Sequence, residues 1–507
     1  MEDSLKLALA HLAVEFGQTE RNRRQMIALN RQAAGQGAKI ILNTEAGISG
    51  YGFDSHSEMM AAAETAGGPT LTALGAIARD YQVYICVGLT ELDPATDLVF
   101  NSAFLLGPDG QIKCRRRKIT AEAKWACPGE PRQQDTCDTP WGRVGLLICS
   151  ETYYGVFARQ MALKGTDLLL VPVNWPPGGL DLKELLRARA MENGVFLAAC
   201  NRSGKDRRMD CSQASSYVLD PVGRALLADT SAESRIFEAE LPLTKGKLSQ
   251  EQRAARLSTR RPGFYHYLCS DVRMSTDLTA LYDLPQAGEM GLSCLAVDGQ
   301  ETMSPEKLEV LIAEMPPQGA RLLVLPRLEG EGLEPDWLYR MAVKHNLAIY
   351  TVLPGKEKKD GHFLATPQEL HSFDIGGGRS GAEEPHYVDY GTSRIGLATA
   401  PDLSHPELAM ALAKRGCDLV AVAGDSGDQA CMPMLKVRAY EKLAVAAALG
   451  KEAFICLPPK GHQRFSNQAS QGPGICSCVF DTAKIRQKAY PDRLDFELLL
   501  RKENGDD

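Results

Sequence analysis

Cys149 closes the apolar run Val144–Ile148 and is followed at once by Ser150-Glu151-Thr152-Tyr153-Tyr154. A cysteine at a strand end, where the chain turns into a helix, has backbone N–H groups near its sulfur and suits a thiol nucleophile. The same position suits a small buried hydrophobe equally well. A base separates the two readings, because a thiol needs one in order to attack. Of the chain's nine histidines, those of the first half, His11, His56 and His266, stand in no helpful context, so the base is expected to be a carboxylate. Glu45 lies just past the short strand Lys39–Leu42, at the kind of strand end where α/β proteins gather functional groups. The segment Ala46–Phe53 carries three glycines, which suits a tight loop bringing aromatics into a pocket. Lys118 closes the basic run Arg115-Arg116-Arg117, a type of run that commonly forms a solvated face. Tyr51, Phe53, Tyr154, Asn174 and Trp175 are the candidate pocket walls, each of which could equally fill core.

The order Glu45, Lys118, Cys149 resembles the nitrilase superfamily of carbon–nitrogen hydrolases. The resemblance rests on the apolar strand Ile40–Leu42 before Glu45 with Gly50-Tyr51 after it, on the basic residues before Lys118, and on Gly142-Arg143-Val144-Gly145-Leu146 leading to Cys149. Pro172-Val173-Asn174-Trp175-Pro176, Arg187–Asn193 and Asn201-Arg202-Ser203-Gly204 add to it, and together these segments cover about residues 5–265. The resemblance implies an α-β-β-α sandwich with a Glu-Lys-Cys triad and no cofactor. It also implies a second glutamate, Glu122, upstream of Pro128-Gly129-Glu130. Cys149 would attack the carbonyl of a small amide, Glu45 would take the thiol proton, and Lys118 with a backbone N–H near Ser150 would hold the oxyanion. Glu151 is placed with the substrate-contacting residues, facing the leaving group, or else in packing at the strand–helix turn. Cys149-Ser150-Glu151 departs from the aromatic-then-Asp of amidase branches and the Trp-then-Glu of nitrile-cleaving ones. A nitrilase or an N-carbamoyl amide hydrolase is the alternative activity. The alternative in another class is a binding or scaffold protein that inherited the fold.

These residues need a frame, and the first ~270 residues supply one by alternating short β-rich runs with helical stretches. Strands are expected at Leu5–Val14, Lys39–Leu42, Val83–Leu89, Val144–Cys149, Leu168–Val171 and Val195–Cys200. Helices are expected from Thr19 toward Gln36, from Gly67-Gly68-Pro69 to Tyr81, near Gly155–Lys164 and over Asp181–Asn193. Asp109-Gly110 reads as a hairpin turn.

The second half repeats the plan. Ala38–Leu42 returns as Ala320–Val324, Gly142–Leu146 as Ser393–Leu397, Lys164–Leu168 as Arg415–Leu419, and Arg189–Glu192 as Arg438–Glu441. Matches in one order argue for an internal duplication of about 250 residues. The expected organisation is a catalytic domain over 1–270, a linker over 271–288 and a degenerate copy over 289–507. In the copy, Arg327 stands where Glu45 does, Ala400 opposite Cys149 and Asp402 opposite Glu151, while Lys118 finds no partner in Gly355–Gly391. Gly376-Gly377-Gly378 lacks the flanking residues of a phosphate loop and is expected to be a flexible loop.

Composition limits the remaining choices. Across 507 residues, 57 Lys and Arg face 64 Asp and Glu, a formal net charge of −7, which disfavours nucleic-acid binding. No apolar run reaches the ~18–20 residues that cross a bilayer. The acidic start Met1-Glu2-Asp3 is unlike a secretory leader, and the 14 dispersed cysteines read as reduced thiols, so a cytoplasmic location is expected. No metal site is expected, and Cys476 and Cys478 should share one strand face. The expected partners are a small-molecule amide and, within one chain, the second half docked as a pseudo-dimer, with further homo-oligomer formation open. Small-angle scattering on the full chain should then fit one compact particle; a profile of two beads on a tether would overturn the pseudo-dimer.

Overall fold

A computed structural model describes residues 3–178, 181–207, 209–272, 278–297, 303–313, 320–354, 360–374, 384–459, 466–471, 474–488, 490 and 493–501. The chain divides into two compact units, Met1–Thr259 with Pro491–Leu499, and Arg260–Tyr490 with Leu500–Asp507.

The first unit holds β1 (Ser4–His11), β2 (Ile40–Asn43), β3 (Tyr84–Asp93), β4 (Leu98–Leu106), β5 (Ile112–Arg117), β6 (Thr136–Thr139), β7 (Gly142–Leu146), β8 (Leu168–Pro172), β9 (Phe196–Cys200), β10 (Ser215–Leu219), β11 (Ala225–Thr230) and β12 (Arg235–Pro242). They form two six-stranded sheets, β12-β1-β2-β3-β4-β5 and β11-β10-β9-β8-β7-β6. β1, β2 and β3 are mutually parallel, as are β7, β8 and β9, and the flanking strands are antiparallel. The parallel strands are buried on both faces, which is why Ile40–Leu42 and Leu168–Val171 are unbroken apolar runs rather than alternating ones. β2 and β3 lie over β8 and β9. Helices Thr19–Gly35 and Pro69–Tyr81 cover the first sheet through Met26, Leu29, Leu74 and Ile77. Pro69 suits the first helical turn, whose N–H groups have no intrahelical acceptor. Asp181 caps helix Leu182–Asn193 by accepting from the Glu184 N–H, and Gly194 ends it in the left-handed region.

The second unit holds β13 (Glu289–Ala296), β14 (Ala320–Val324), β15 (Ala348–Pro354), β16 (Asp360–Ala365), β17 (Leu370–Phe373), β18 (Tyr387–Tyr390), β19 (Ser393–Ala398), β20 (Leu419–Gly424), β21 (Ala444–Leu449), β22 (Glu452–Leu457), β23 (Ser466–Gln471) and β24 (Gly474–Asp481). Its sheets run β24-β13-β14-β15-β16-β17 and β18-β19-β20-β21-β22-β23, the strand order of the first unit repeated. Local devices repeat as well. Arg143 pairs with Asp138 as Arg394 pairs with Asp389, and the Asp167 and Asp418 carboxylates accept the N–H of Arg143 and Arg394. The fold is therefore two tandem α-β-β-α sandwiches.

Three expectations change. The strand expected to reach Cys149 ends at Leu146, because Cys149 itself has φ 43° and opens a short 3₁₀ turn, Cys149–Tyr153. The unit boundary falls at Thr259/Arg260 rather than at 270, because Pro262–Cys269 packs on helix Pro406–Lys414, whose Lys414 ammonium donates to the carbonyls of Leu268 and Ser270. The expected linker contains a helical turn, Leu278–Tyr282, and the copy is interrupted by Pro491–Leu499, which belongs to the first unit, before resuming at Leu500. Cys476 and Cys478 do share the face of β24 that meets the sheet-to-sheet core. The Gly376–Gly378 stretch lies outside the described residues. Among the described residues, no helix is long and apolar enough to cross a membrane.

Within Pro491–Leu499, Arg493 donates to the Gly129 carbonyl and Glu130, Arg132 pairs with Asp495 and Glu497, and Leu494 and Leu499 are buried. Leu499→Ala should cost about 2–4 kcal/mol in urea unfolding, the usual cost of emptying a filled apolar site. An unchanged midpoint would show that this segment does not support the unit.

Candidate active site

Glu45 follows β2, Cys149 follows β7 and Asn174 follows β8, all at the C-terminal ends of parallel strands, while Lys118 follows the antiparallel edge strand β5. Thr44 fixes the glutamate loop by donating to the Val173 carbonyl at 2.6 Å. A Cβ at Gly88 of β3 would come within 2.7 Å of the Glu45 Cα, so only glycine lets the loop approach this closely.

Lys118 is fully buried, and its ammonium donates to Glu45 Oε1 at 2.7 Å and to Glu122 Oε1. Tyr51 donates its hydroxyl to the same Glu122 oxygen at 2.5 Å. Burial pushes the Lys118 ammonium down, but Glu122 and Glu45 together outweigh it and hold the group well above its ordinary value. Burial raises the Glu45 carboxyl, with Lys118 opposing and Glu122 adding to the rise. Burial also drives the Cys149 thiol well up, Glu45 adds to that, and Lys118 and the Asn174 carbonyl contact oppose it. Cys149 thus rests as a thiol beside a carboxylate able to take its proton. Its Sγ lies 4.0 Å from the Asn174 carbonyl oxygen. The positive φ at Cys149 is uncommon outside glycine and holds the sulfur on a sharp elbow after β7.

The basic run is not a uniform solvated face. β5 alternates, so Arg115 is exposed while Arg116 and Lys118 turn inward with no exposed surface. Arg116 meets Glu151 at 2.7 and 2.8 Å and Asp135 at 2.5 Å. Glu151 also accepts from the backbone N–H groups of Ile119 and Ile148, both at 2.9 Å. This corrects its placement with the substrate-contacting residues: its carboxylate oxygens are committed to Arg116 and to two backbone donors, one beside Lys118 and one beside Cys149. Glu151 ties the elbow to the lysine loop.

Phe53, also expected as a pocket wall, is 3% exposed and packs with Met59, Val99 and Trp125, where it supports Tyr51 from behind. Trp175 stacks edge-on against Tyr153 at 4.9 Å, and its backbone N–H and carbonyl are both held by the Asn201 amide. Tyr154 is half-buried with its ring against Phe157. Asn174 Oδ1 accepts from Arg202 at 2.9 Å, and its Nδ2 is buried without a partner. The sequence reading missed Asn101, Arg116 and Arg202. Strand alternation back from Lys118 marks Arg116, whereas nothing in the sequence marks Asn101, which donates to Glu45 at 2.7 Å and to Glu122 at 3.1 Å. Among the described residues, no group of three or more His, Cys, Asp or Glu is placed to hold a metal ion.

In the second unit the same positions hold different chemistry. Val324 pairs with Tyr350 as Leu42 pairs with Cys86, which puts Arg327 at the place of Glu45. Ile395 pairs with Leu419 as Val144 pairs with Leu168, which puts Ala400 at the place of Cys149 and Asp402 at that of Glu151. By register the position matching Lys118 is Ile375, which lies outside the described residues.

The profile of the carbon–nitrogen hydrolase family matches residues 6–247. The omega-amidase NIT2 of Homo sapiens is 30% identical over 256 residues, covering 48% of this chain and 90% of that protein. A nitrilase of Pyrococcus abyssi is 28% identical over 245 residues, covering 47% of this chain and 90% of the relative. A carbon–nitrogen hydrolase structure from Helicobacter pylori G27 aligns over 53% of this chain and 99% of its own, with 24% identity and a TM-score of 0.46. The profile and the near full-length relatives converge on the half of the chain that carries Glu45, Lys118 and Cys149, and the protein belongs to the carbon–nitrogen hydrolases of the nitrilase superfamily.

Proposed function

We propose that the first unit hydrolyses the C–N bond of a small amide through a Cys149 thioester. The observation that carries this reading is the meeting of Cys149, Glu45 and Lys118, from three separate loops, in one buried cluster. The omega-amidase names of several relatives support an amide substrate. The 6% exposure of Cys149 favours a small acyl group.

In the first step the sulfur bonds to the amide carbonyl carbon as its proton passes to Glu45. Lys118 and a backbone N–H near Ser150 stabilise the oxyanion. Collapse breaks the C–N bond, and Glu45 returns the proton to the departing ammonia or amine. Glu45 next takes a proton from water as the oxygen attacks the thioester, and that proton returns to sulfur as the acid leaves. Glu122 holds Lys118 in place through both steps. The second unit, with Arg327 and Ala400 at the matching positions, takes no part in this chemistry.

Cys149→Ala, Glu45→Gln and Lys118→Ala should each lower turnover by about 10³-fold or more without adding to one another, and Glu122→Gln by about tenfold. Ammonia release across amides, nitriles and ureides reads the loss and identifies the substrate class. Mass spectrometry should find an acyl adduct on Cys149 with the best substrate, and its absence with every compound would favour a binding protein. Glu45 must be ionised to act, and burial raises its pKa, so kcat/KM should fall with decreasing pH through a limb above the ordinary carboxylate range. A flat profile down to pH ~4 would rule out Glu45 as the base.

A further inference from the structure

Asn101 sits in β4 opposite Thr90 of β3 and has no exposed surface. Its amide has two N–H bonds, and they go to two different carboxylates, Glu45 Oε1 at 2.7 Å and Glu122 Oε2 at 3.1 Å. Its backbone carbonyl accepts from the Lys118 N–H at 2.8 Å. One residue therefore touches all three members of the ionic cluster. Glu45 Oε1 receives both the Asn101 amide and the Lys118 ammonium, whereas Glu45 Oε2 is buried with no hydrogen-bond partner. Oε1 is thus held by two donors, and Oε2 is the oxygen left without one.

The second unit shows the same two positions coupled with opposite charges. Asp360 lies opposite Pro354 in the β15–β16 pair, in the register of Asn101 opposite Thr90. It binds Arg327, the residue at the place of Glu45, at 2.9 and 3.0 Å. Where the carboxylate base gave way to a cation, the partner on the neighbouring strand became an anion.

We propose that Asn101 is a positioning residue for the reaction: its neutral amide pins Glu45 Oε1 and Glu122 together, leaving Glu45 Oε2 as the single oxygen that takes the thiol proton. The proposal deepens the thiol-hydrolase reading above and rests on Glu45 being the base. Only an amide serves. Aspartate offers no donor unless protonated, and alanine leaves both carboxylates unlinked.

The test follows alkylation of Cys149 by iodoacetamide, which needs no knowledge of the substrate. Sulfur bonds to the methylene carbon, iodide leaves, and the thiol proton passes to Glu45. The groups facing Glu45 are Lys118, Glu122, Tyr51 and Cys149. Asn101→Asp keeps the shape and adds a third carboxylate to a cluster with one lysine. Peptide mass spectrometry should show Cys149 alkylation slowed at least about tenfold at neutral pH, with its acid limb moved up by about one pH unit or more. Asn101→Asp combined with Glu122→Gln restores the carboxylate count and should bring the limb back toward the starting value, a rescue that a loss of packing would not give. Asn101→Ala removes a neutral donor that favours the Glu45 carboxylate and adds no charge, so it should slow alkylation with a smaller upward movement of the limb than Asn101→Asp. If Asn101→Asp keeps the original rate and limb while Glu45→Gln changes both, the positioning role is overturned. If Glu45→Gln itself changes neither, the base assignment fails, and the proposal fails with it.

Discussion

An ammonium with no exposed surface is the constraint on which the catalytic half depends. Removing a charge from water costs on the order of several kcal/mol, and only close opposite charges with good geometry offset it. Lys118 finds them in Glu45 and Glu122, one from the loop after β2 and one from its own loop. Burial first, and then the neighbouring Glu45, hold the Cys149 thiol well up and leave a carboxyl group beside it to take its proton. Stability and chemistry are thus set by the same three side chains. The same balance explains the supporting groups, because Tyr51 and Asn101 serve the carboxylates as neutral donors and add no further charge.

The duplication shows which parts of this frame are separable from the chemistry. Both units keep the strand order, the arginine–aspartate pair at the start of the second sheet and the aspartate that caps it. These features organise the sheet and remain useful without a nucleophile. The reactive positions have diverged together, with Arg327 against Asp360 where Glu45 meets Asn101. In each unit the residue on the neighbouring strand suits the charge it faces, an amide donor for the carboxylate and a carboxylate for the cation.

How much of this was legible in the sequence depended on whether the signal was local. Glu45 could be found because an apolar strand stops abruptly beside it, and Cys149 because the same happens after β7. The sandwich was legible from the alternation of elements, and the duplication from short matches in one order. Arg116 was hidden in a run that looks solvated, and only the two-residue alternation of β5 separates its buried members from its exposed ones. Asn101 could not be found at all, since its partners lie on other elements and an asparagine inside a strand has no spacing of its own. Glu151 was misplaced for the same reason: Arg116, its partner, comes from the other sheet. The unit boundary escaped because aromatic residues in Pro262–Cys269 look like a loose connection until they are seen packed.

The return of Pro491–Leu499 to the first unit interleaves the two units along the chain, so the second is not a plain appendage to the first. Synthesis runs in one direction, at roughly 5–20 residues per second, and domains fold as they emerge. The catalytic unit begins first on the ribosome yet receives its last segment only after Arg260–Tyr490 of the second unit has been made. Leu494 and Leu499 reach their buried places only after the residues up to Tyr490 have been made. A chain that stops before Pro491 carries its triad in a unit without this segment.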